Sequence, residues 1–214
     1  MATRALDARL DTRSRRYDPA ETRQRVLAAA NMLFSSRGFS STGTADIARE
    51  ADVSEGSIFY HFGSKQNLLV ELGRRYGETM IAVMQGNDAL EDLEPGVMIE
   101  RCITWCIEHR DWEALTGEVC VEGKPKKLMS ADGEPFYREA RHTTVDWVQR
   151  QMHAVLDKRP GHTIDIPVAA SFTFVVVGEA IEATLNNADP ASRATVLAEA
   201  IRFVRAACGY ATPA

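Results

Sequence analysis

The sequence has no long apolar run. The longest uncharged stretch of its C-terminal half, residues 166–178, lies between Asp165 and Glu179. That falls short of the roughly 20 apolar residues a membrane-spanning helix needs. Residues 1–16 mix Arg and Asp with few apolar groups, so no export signal is expected. Cysteine is sparse: Cys102, Cys106, Cys120 and Cys208 are all there is. Without an export signal they read as reduced thiols of a cytoplasmic protein. Internal repeats and low-complexity tracts are missing, and strand patterns are scarce. There is also no Gly-rich phosphate loop, nucleophile elbow or paired metal motif, and His61, His109, His142, His153 and His162 form no catalytic set. The expectation is a protein that is not an enzyme, carries no cofactor and touches no membrane.

What is present is ordinary globular composition. Of 214 residues, 45% are hydrophobic and 26% charged, which excludes disorder over the whole chain. The net charge of −5 argues against a general nucleic-acid coat, but its distribution is uneven. Residues 1–65 hold ten Lys/Arg and eight Asp/Glu, whereas residues 66–214 hold fifteen and twenty-two. The N-terminal end is basic and the rest acidic. Within residues 1–17, five arginines face two aspartates, which fits a basic arm reaching phosphates or a solvated tail.

Helical periodicity dominates, and the spacing predicts an all-α chain of about nine helices. Asp18-Pro19-Ala20-Glu21 starts the first, Val26, Ala29, Ala30, Leu33 and Phe34 form its inner face, and Gly38 ends it as a left-handed cap. A short helix fits residues 44–51 and Asp52-Val53-Ser54 is a tight turn. Ser54 caps a third helix carrying Ile58 and Phe62. A fourth runs from Lys65 to Gly86-Asn87. Further helices start at Pro95, around Trp112, Leu115 and Val119, and over residues 135–156, 167–185 and 190–208. Lys124, Lys126 and Lys127 mark a basic loop.

Residues 42–65 carry the most information. Two short helices flank a three-residue turn, and the second opens on the small polar residues Ser54-Glu55-Gly56-Ser57. A helix entering a DNA groove needs such a start, because bulk there holds it off the base edges. Gly38-Phe39, Thr42, Asp46-Ile47-Ala48, Ala51, Val53-Ser54, Gly56-Ser57, Tyr60-His61-Phe62, Ser64-Lys65 and Leu68-Leu69 resemble the N-terminal signature of the tetracycline-repressor (TetR) family, over residues 22–72. Asp52 stands where that signature often has Gly, Thr44 where it often has an aliphatic residue, and Phe59 where a Tyr is common.

The resemblance implies a basic arm (1–17), a three-helix helix-turn-helix DNA-binding domain (18–65) and a larger helical ligand-binding and dimerisation domain (66–214). It implies phosphate contacts from Thr42, Tyr60, His61 and Lys65, and base-edge contacts from Glu55, Ser57 and Phe59, with Gly56 allowing close approach. Thr44 and Ser54 complete the expected DNA-facing set. The implied function is a regulator, most often a repressor, that binds a pseudopalindromic operator in double-stranded DNA as a homodimer and is released by a small, largely apolar effector.

In the C-terminal part, Met98, Cys102, Trp105, Cys106, His109, Trp112, Trp147, Phe172 and Glu179 are the candidate effector contacts, with Met152 and Phe174 as further wall residues; the plainer reading is apolar core packing for the others and an exposed or interface charge for Glu179. Cys102, Cys106 and His109 stand at i, i+4 and i+7, so an alternative is a metal or redox sensor on the same DNA-binding frame. Gly73 and Gly77, one turn apart, mark either a softened joint or a close helix approach. Residues 166–185 are apolar almost all round, and Val196, Leu197, Ala200, Ile201, Val204 and Ala207 share one face of the last helix. The last two helices are therefore expected to form the homodimer interface.

Overall fold

The computed structural model describes residues 18–109, 133–158, 161 and 163–210. The arm 1–17, Trp112 with the helix expected around it, Cys120, the Lys124–Lys126–Lys127 loop and His162 lie outside the described residues. Among those described are eight α-helices and no strand: α1 (Pro19–Arg37), α2 (Thr44–Glu50), α3 (Glu55–Phe62), α4 (Lys65–Gln85), α5 (Pro95–Glu108), α6 (Glu134–Leu156), α7 (Ile166–Asn186) and α8 (Pro190–Ala207).

Local chemistry sets their ends. Asp18 accepts from the Ala20 and Glu21 amides, Ser54 from Ser57, Ser64 from Asn67, Glu94 from Val97, Asp165 from Val168, and Asp189 from Ala191 and Ser192. Each satisfies amides that a helix start leaves without partners. Gly38 ends α1 at φ 84 and ψ 157. The positive φ is as expected. The extended ψ differs from a left-handed cap and belongs to a region essentially restricted to glycine. Asp52 has φ 52, the one positive-φ residue other than glycine among those described. An aspartate tolerates this conformation better than most side chains, so the turn between α2 and α3 closes without glycine.

Two apolar cores form. The first gathers α1, α2, α3 and the start of α4 around Val26, Ala30, Ile47, Ile58 and Leu68. It also takes Leu69 and Leu72 from further along α4, and Phe136 from α6. The second core holds the rest of α4 with α5 to α8, and Tyr76 packs against both. Helix α4 thus runs from one core into the other, packing most extensively on α6. Gly73 and Gly77 sit at that crossing: a Cβ on Gly73 would lie 2.3 Å from the Phe136 carbonyl oxygen, and one on Gly77 would lie 2.9 Å from the Thr143 Cβ. The glycine pair therefore serves close helix approach rather than a softened joint.

Candidate nucleic-acid interface and effector cavity

Helix α3 turns Ile58 and Phe62 into the first core and presents Glu55, Gly56, Phe59 and Tyr60 outward. Tyr60 is 79% exposed, and the His61 ring meets its edge at 5.0 Å. Ser54 and Ser57 are joined at the helix start: the Ser57 amide donates to Ser54 Oγ at 3.2 Å, and the two hydroxyls lie 2.8 Å apart. The Thr44 hydroxyl donates to the Glu55 carboxylate, tying the first residues of α2 and α3 together. Thr44 thereby supplies an anchor where an aliphatic side chain would only pack. Asp46 closes the start of α2 by accepting from the Gly43 amide at 3.2 Å. That amide, followed by Arg49, holds its carboxyl below the usual aspartate range.

Two residues expected at phosphates are engaged inside the head. Thr42 is 1% exposed, and its hydroxyl donates to the Gly38 carbonyl at 2.8 Å, fixing the turn after α1. A threonine there closes the loop through its own oxygen, which leaves its side chain no outward reach. Lys65 Nζ donates to the Phe39 carbonyl at 2.9 Å and the Thr42 carbonyl at 3.0 Å, and lies 4.1 Å from the centroid of the Phe39 ring. Its ammonium clamps the turn between α1 and α2 to the start of α4.

Arg23 escaped the sequence reading, since nothing local distinguishes it from a surface arginine. It donates to the His61 carbonyl at 3.0 Å, lies over the Phe62 ring at 4.5 Å and pairs with Glu71 at 2.9 Å. One guanidinium thus joins α1, the end of α3 and α4. Burial pushes the Glu71 carboxyl up, but hydrogen bonds from Arg74 and Arg23 outweigh it and hold the group below the usual glutamate range. A carboxylate depressed by folding contributes stability above its unfolded pKa and loses that contribution as pH falls through the folded value. Glu71→Gln is therefore expected to lower the melting temperature at neutral pH. The difference from the parent protein should close in acid, as pH falls through the lowered folded pKa of Glu71. A deficit that does not change with pH would show that these ion pairs do not hold the head together.

A cavity of about 340 Å³ opens among α4, α5, α6 and α7. Of the candidate effector contacts, Met98, Cys102 and Glu179 line it, as does Phe174. Tyr76, Met80, Met84, Thr144, Thr173 and Glu182 line it as well and were not singled out by sequence. Met80 and Met84 lie on the inner stripe of α4, which looks the same whether it faces a core or a cavity; the only hint was the run of methionines.

The remaining candidates stand elsewhere. Trp147 is buried in the second core, its indole donating to Gln85 Oε1 at 3.3 Å, and Met152 is buried there too. Phe172 is 58% exposed on the far side of α7 from Phe174, because two residues turn a helix by about 200°. Trp105 stacks on His109 at 4.5 Å with ring planes 11° apart, and the His109 imidazole sits 3.0 Å from the Trp105 carbonyl. That splits the proposed sensor triad: Cys102 and Cys106 are buried whereas His109, at the end of α5, is exposed. Among the described residues, no group of three or more His, Cys, Asp or Glu is placed to hold a metal.

The outer surface of α7 carries exposed Val168, Phe172 and Val175 at i, i+4 and i+7, with Phe203 of α8 also exposed. The apolar stripe read on α8 turns largely inward instead, with Ala200 and Val204 buried. By length and composition α7 could cross a bilayer. However, Glu179 and Glu182 interrupt its second half, and it packs on α5, α6 and α8.

Residues 26–72 match the family described as bacterial regulatory proteins, tetR family. The HTH-type transcriptional regulator AcrR of Shigella flexneri is 42% identical over 60 residues, which cover 28% of each chain. The match therefore spans under a third of that relative's length. The HTH-type transcriptional repressor AcnR of Corynebacterium glutamicum is 25% identical over 73% of this chain and 77% of its own. Among solved structures, GusR of Salmonella enterica superposes with a TM-score of 0.65 at 21% identity, covering 90% of this chain and 97% of the other. Residues 26–72 therefore carry the N-terminal domain of the TetR family of bacterial regulatory proteins, and the described helices as a whole share the fold of GusR.

Proposed function

We propose that the protein is a ligand-responsive transcriptional regulator of the cytoplasm, acting by binding rather than turnover. It represses by holding a pseudopalindromic operator as a homodimer and leaves that operator when a small, largely apolar effector enters the cavity. The observation that carries this reading is the outward edge of α3, where Glu55, Gly56, Phe59 and Tyr60 stand clear of the core into which Ile58 and Phe62 of the same helix pack. Glu55, Ser57 and Phe59 face base edges, while Tyr60 and His61 meet phosphates. Thr42 and Lys65 support that surface from behind. The exposed apolar face of α7 with Phe203 pairs with its copy, so that two α3 helices reach successive major grooves. Moving the operator from mostly bound to mostly free requires an effector that favours the released state by about 5.5 kcal/mol.

Selection of genomic fragments by the purified protein tests this. Fragments sharing an inverted repeat, with half-sites about 34 Å apart or a multiple of that, are expected. Enrichment no better than random DNA at physiological salt would overturn the reading.

A single substitution separates reading from folding. A Cβ on Gly56 meets only Ser54 Oγ, at 3.7 Å, so Gly56→Ala is expected to leave the melting temperature unchanged or slightly raised. Operator affinity should nevertheless fall about tenfold, because the added methyl holds the helix start off the bases. Undiminished affinity would remove the close approach at Gly56.

A further inference from the structure

If the cavity is the effector site, as proposed above, its lining also narrows the effector's chemistry. Its walls are mainly apolar, with the thioethers of Met80, Met84 and Met98 and the rings of Phe136 and Phe174 among them. Thioethers adapt to flat, polarisable groups, and aromatic faces attract cations. The volume, about 340 Å³, lies at the small end of the range for drug-sized ligands.

Carboxylates and the hydroxyls of Tyr76, Tyr137, Thr144 and Thr173 break this apolar surface, and two features stand out among them. Glu179 and Glu182, at i and i+3 on α7, both line the cavity, Glu182 half-buried and Glu179 at the rim it shares with the groove between α7 and α8. Among the described residues neither enters an ion pair. No Lys, Arg or His is among the described residues of the lining. The Arg141 guanidinium lies 5.9 Å from the Phe174 ring centroid, but Arg141 is not part of the wall. The second feature is independent of this charge. Thr173 is 1% exposed and lines the cavity, and its hydroxyl has no hydrogen-bond partner. A buried hydroxyl left without a partner is unfavourable, and a ligand group that reaches it relieves the cost.

We infer that the cavity takes a lipophilic organic cation, one or two rings bearing an amine, with its ammonium at Glu179 and Glu182, its rings among the methionines and Thr173 as a hydrogen-bond partner inside. Apolar walls alone would accept any hydrophobe of the right size. The carboxylates discriminate: they attract an ammonium, give nothing to a neutral molecule and repel an anion.

Three probes on one skeleton test the charge rule by titration calorimetry on the full-length protein: biphenyl-4-methylamine, biphenyl-4-methanol and biphenyl-4-carboxylate. The amine is expected to bind about tenfold or more tightly than the alcohol, with the carboxylate weakest. The combined Glu179→Gln and Glu182→Gln variant should bring the amine down to the affinity of the alcohol. Thr173 is tested with a fourth probe, 4'-hydroxybiphenyl-4-methylamine, whose far hydroxyl should add affinity in the parent protein and lose that gain in Thr173→Val. An alcohol or carboxylate that binds as tightly as the amine, no binding of any probe, or an amine preference that survives in the double variant overturns the inference. The ranking on the parent protein requires no variant to fold. Operator binding by the ligand-free protein is measured in parallel: DNA binding without amine preference removes only the effector class, whereas absent DNA binding removes the regulator reading whatever the probes do.

Discussion

Alanine at Gly73 is expected to destabilise the protein by about 2 kcal/mol and to lower its melting temperature by about 4–8 °C. Helix propensity alone predicts the opposite, since alanine is favoured over glycine inside a helix by about 1 kcal/mol. Packing decides the sign. A Cβ at Gly73 would stand 2.3 Å from the Phe136 carbonyl oxygen and 3.0 Å from its carbonyl carbon and Cα. These are backbone atoms, so no rotamer change relieves the overlap and α4 must move off α6. Gly178→Ala provides the contrast: it adds the same methyl inside a helix, but nothing lies within 4 Å, so it should stabilise by up to about 1 kcal/mol. Thermal melts of both variants check the pair, and a stabilising Gly73→Ala would rule out close approach at the crossing. Because α4 carries Leu68 in the head and Met80 and Met84 at the cavity, parting it from α6 should also reduce operator affinity.

Phe136→Ala should cost more, about 3–5 kcal/mol, as expected for a large ring removed from a close-packed interior. Phe136 is 1% exposed and, although it belongs to α6, it completes the core of the head beside Leu69 and Leu72. Its ring stands 5.6 Å from that of Tyr76 and it also lines the cavity. Its loss therefore removes a side chain that touches both the first core and the cavity. At temperatures where the variant is still folded, effector-driven release of DNA should weaken along with stability. Phe172→Ala is the comparison. That ring is already largely in solvent, so the protomer should lose no more than about 0.5 kcal/mol while self-association weakens. Melting curves and sedimentation separate the two, and a Phe136 variant as stable as the Phe172 variant would refute its role in the core.

The head was legible in sequence wherever the deciding partners lie within a few residues. Asp18 and Ser54 cap the amides just after them, and Asp52 takes the positive φ that its turn requires. The outward set on α3 followed from the same local order, because Ile58 and Phe62 anchor the opposite side. Thr42 and Lys65 were legible only as residues of the right type. Their engagement inside the head depends on carbonyls brought close by folding, those of Leu33 and Gly38 for Thr42 and of Phe39 and Thr42 for Lys65. At the cavity, candidates chosen for aromatic or sulfur character divided between wall, core and surface. Phe174 reached the wall and Phe172 the surface, although they are two residues apart.

The sequence by itself determined the helical class, the ends of the helices, the helix-turn-helix and its exposed polar start, because caps, turns and periodicity act over one or two helical turns. Only the tertiary structure decided whether the Gly73 and Gly77 pair bends or packs, that Phe136 belongs to the head, that Cys102 and Cys106 part from His109, and which side of α7 meets the cavity. A repeat of 3.6 residues says which side chains share a face, but not what that face meets. That depends on residues far apart in the chain, such as Gln85 with Trp147 or Glu94 with Arg205, which only the folded helices bring together.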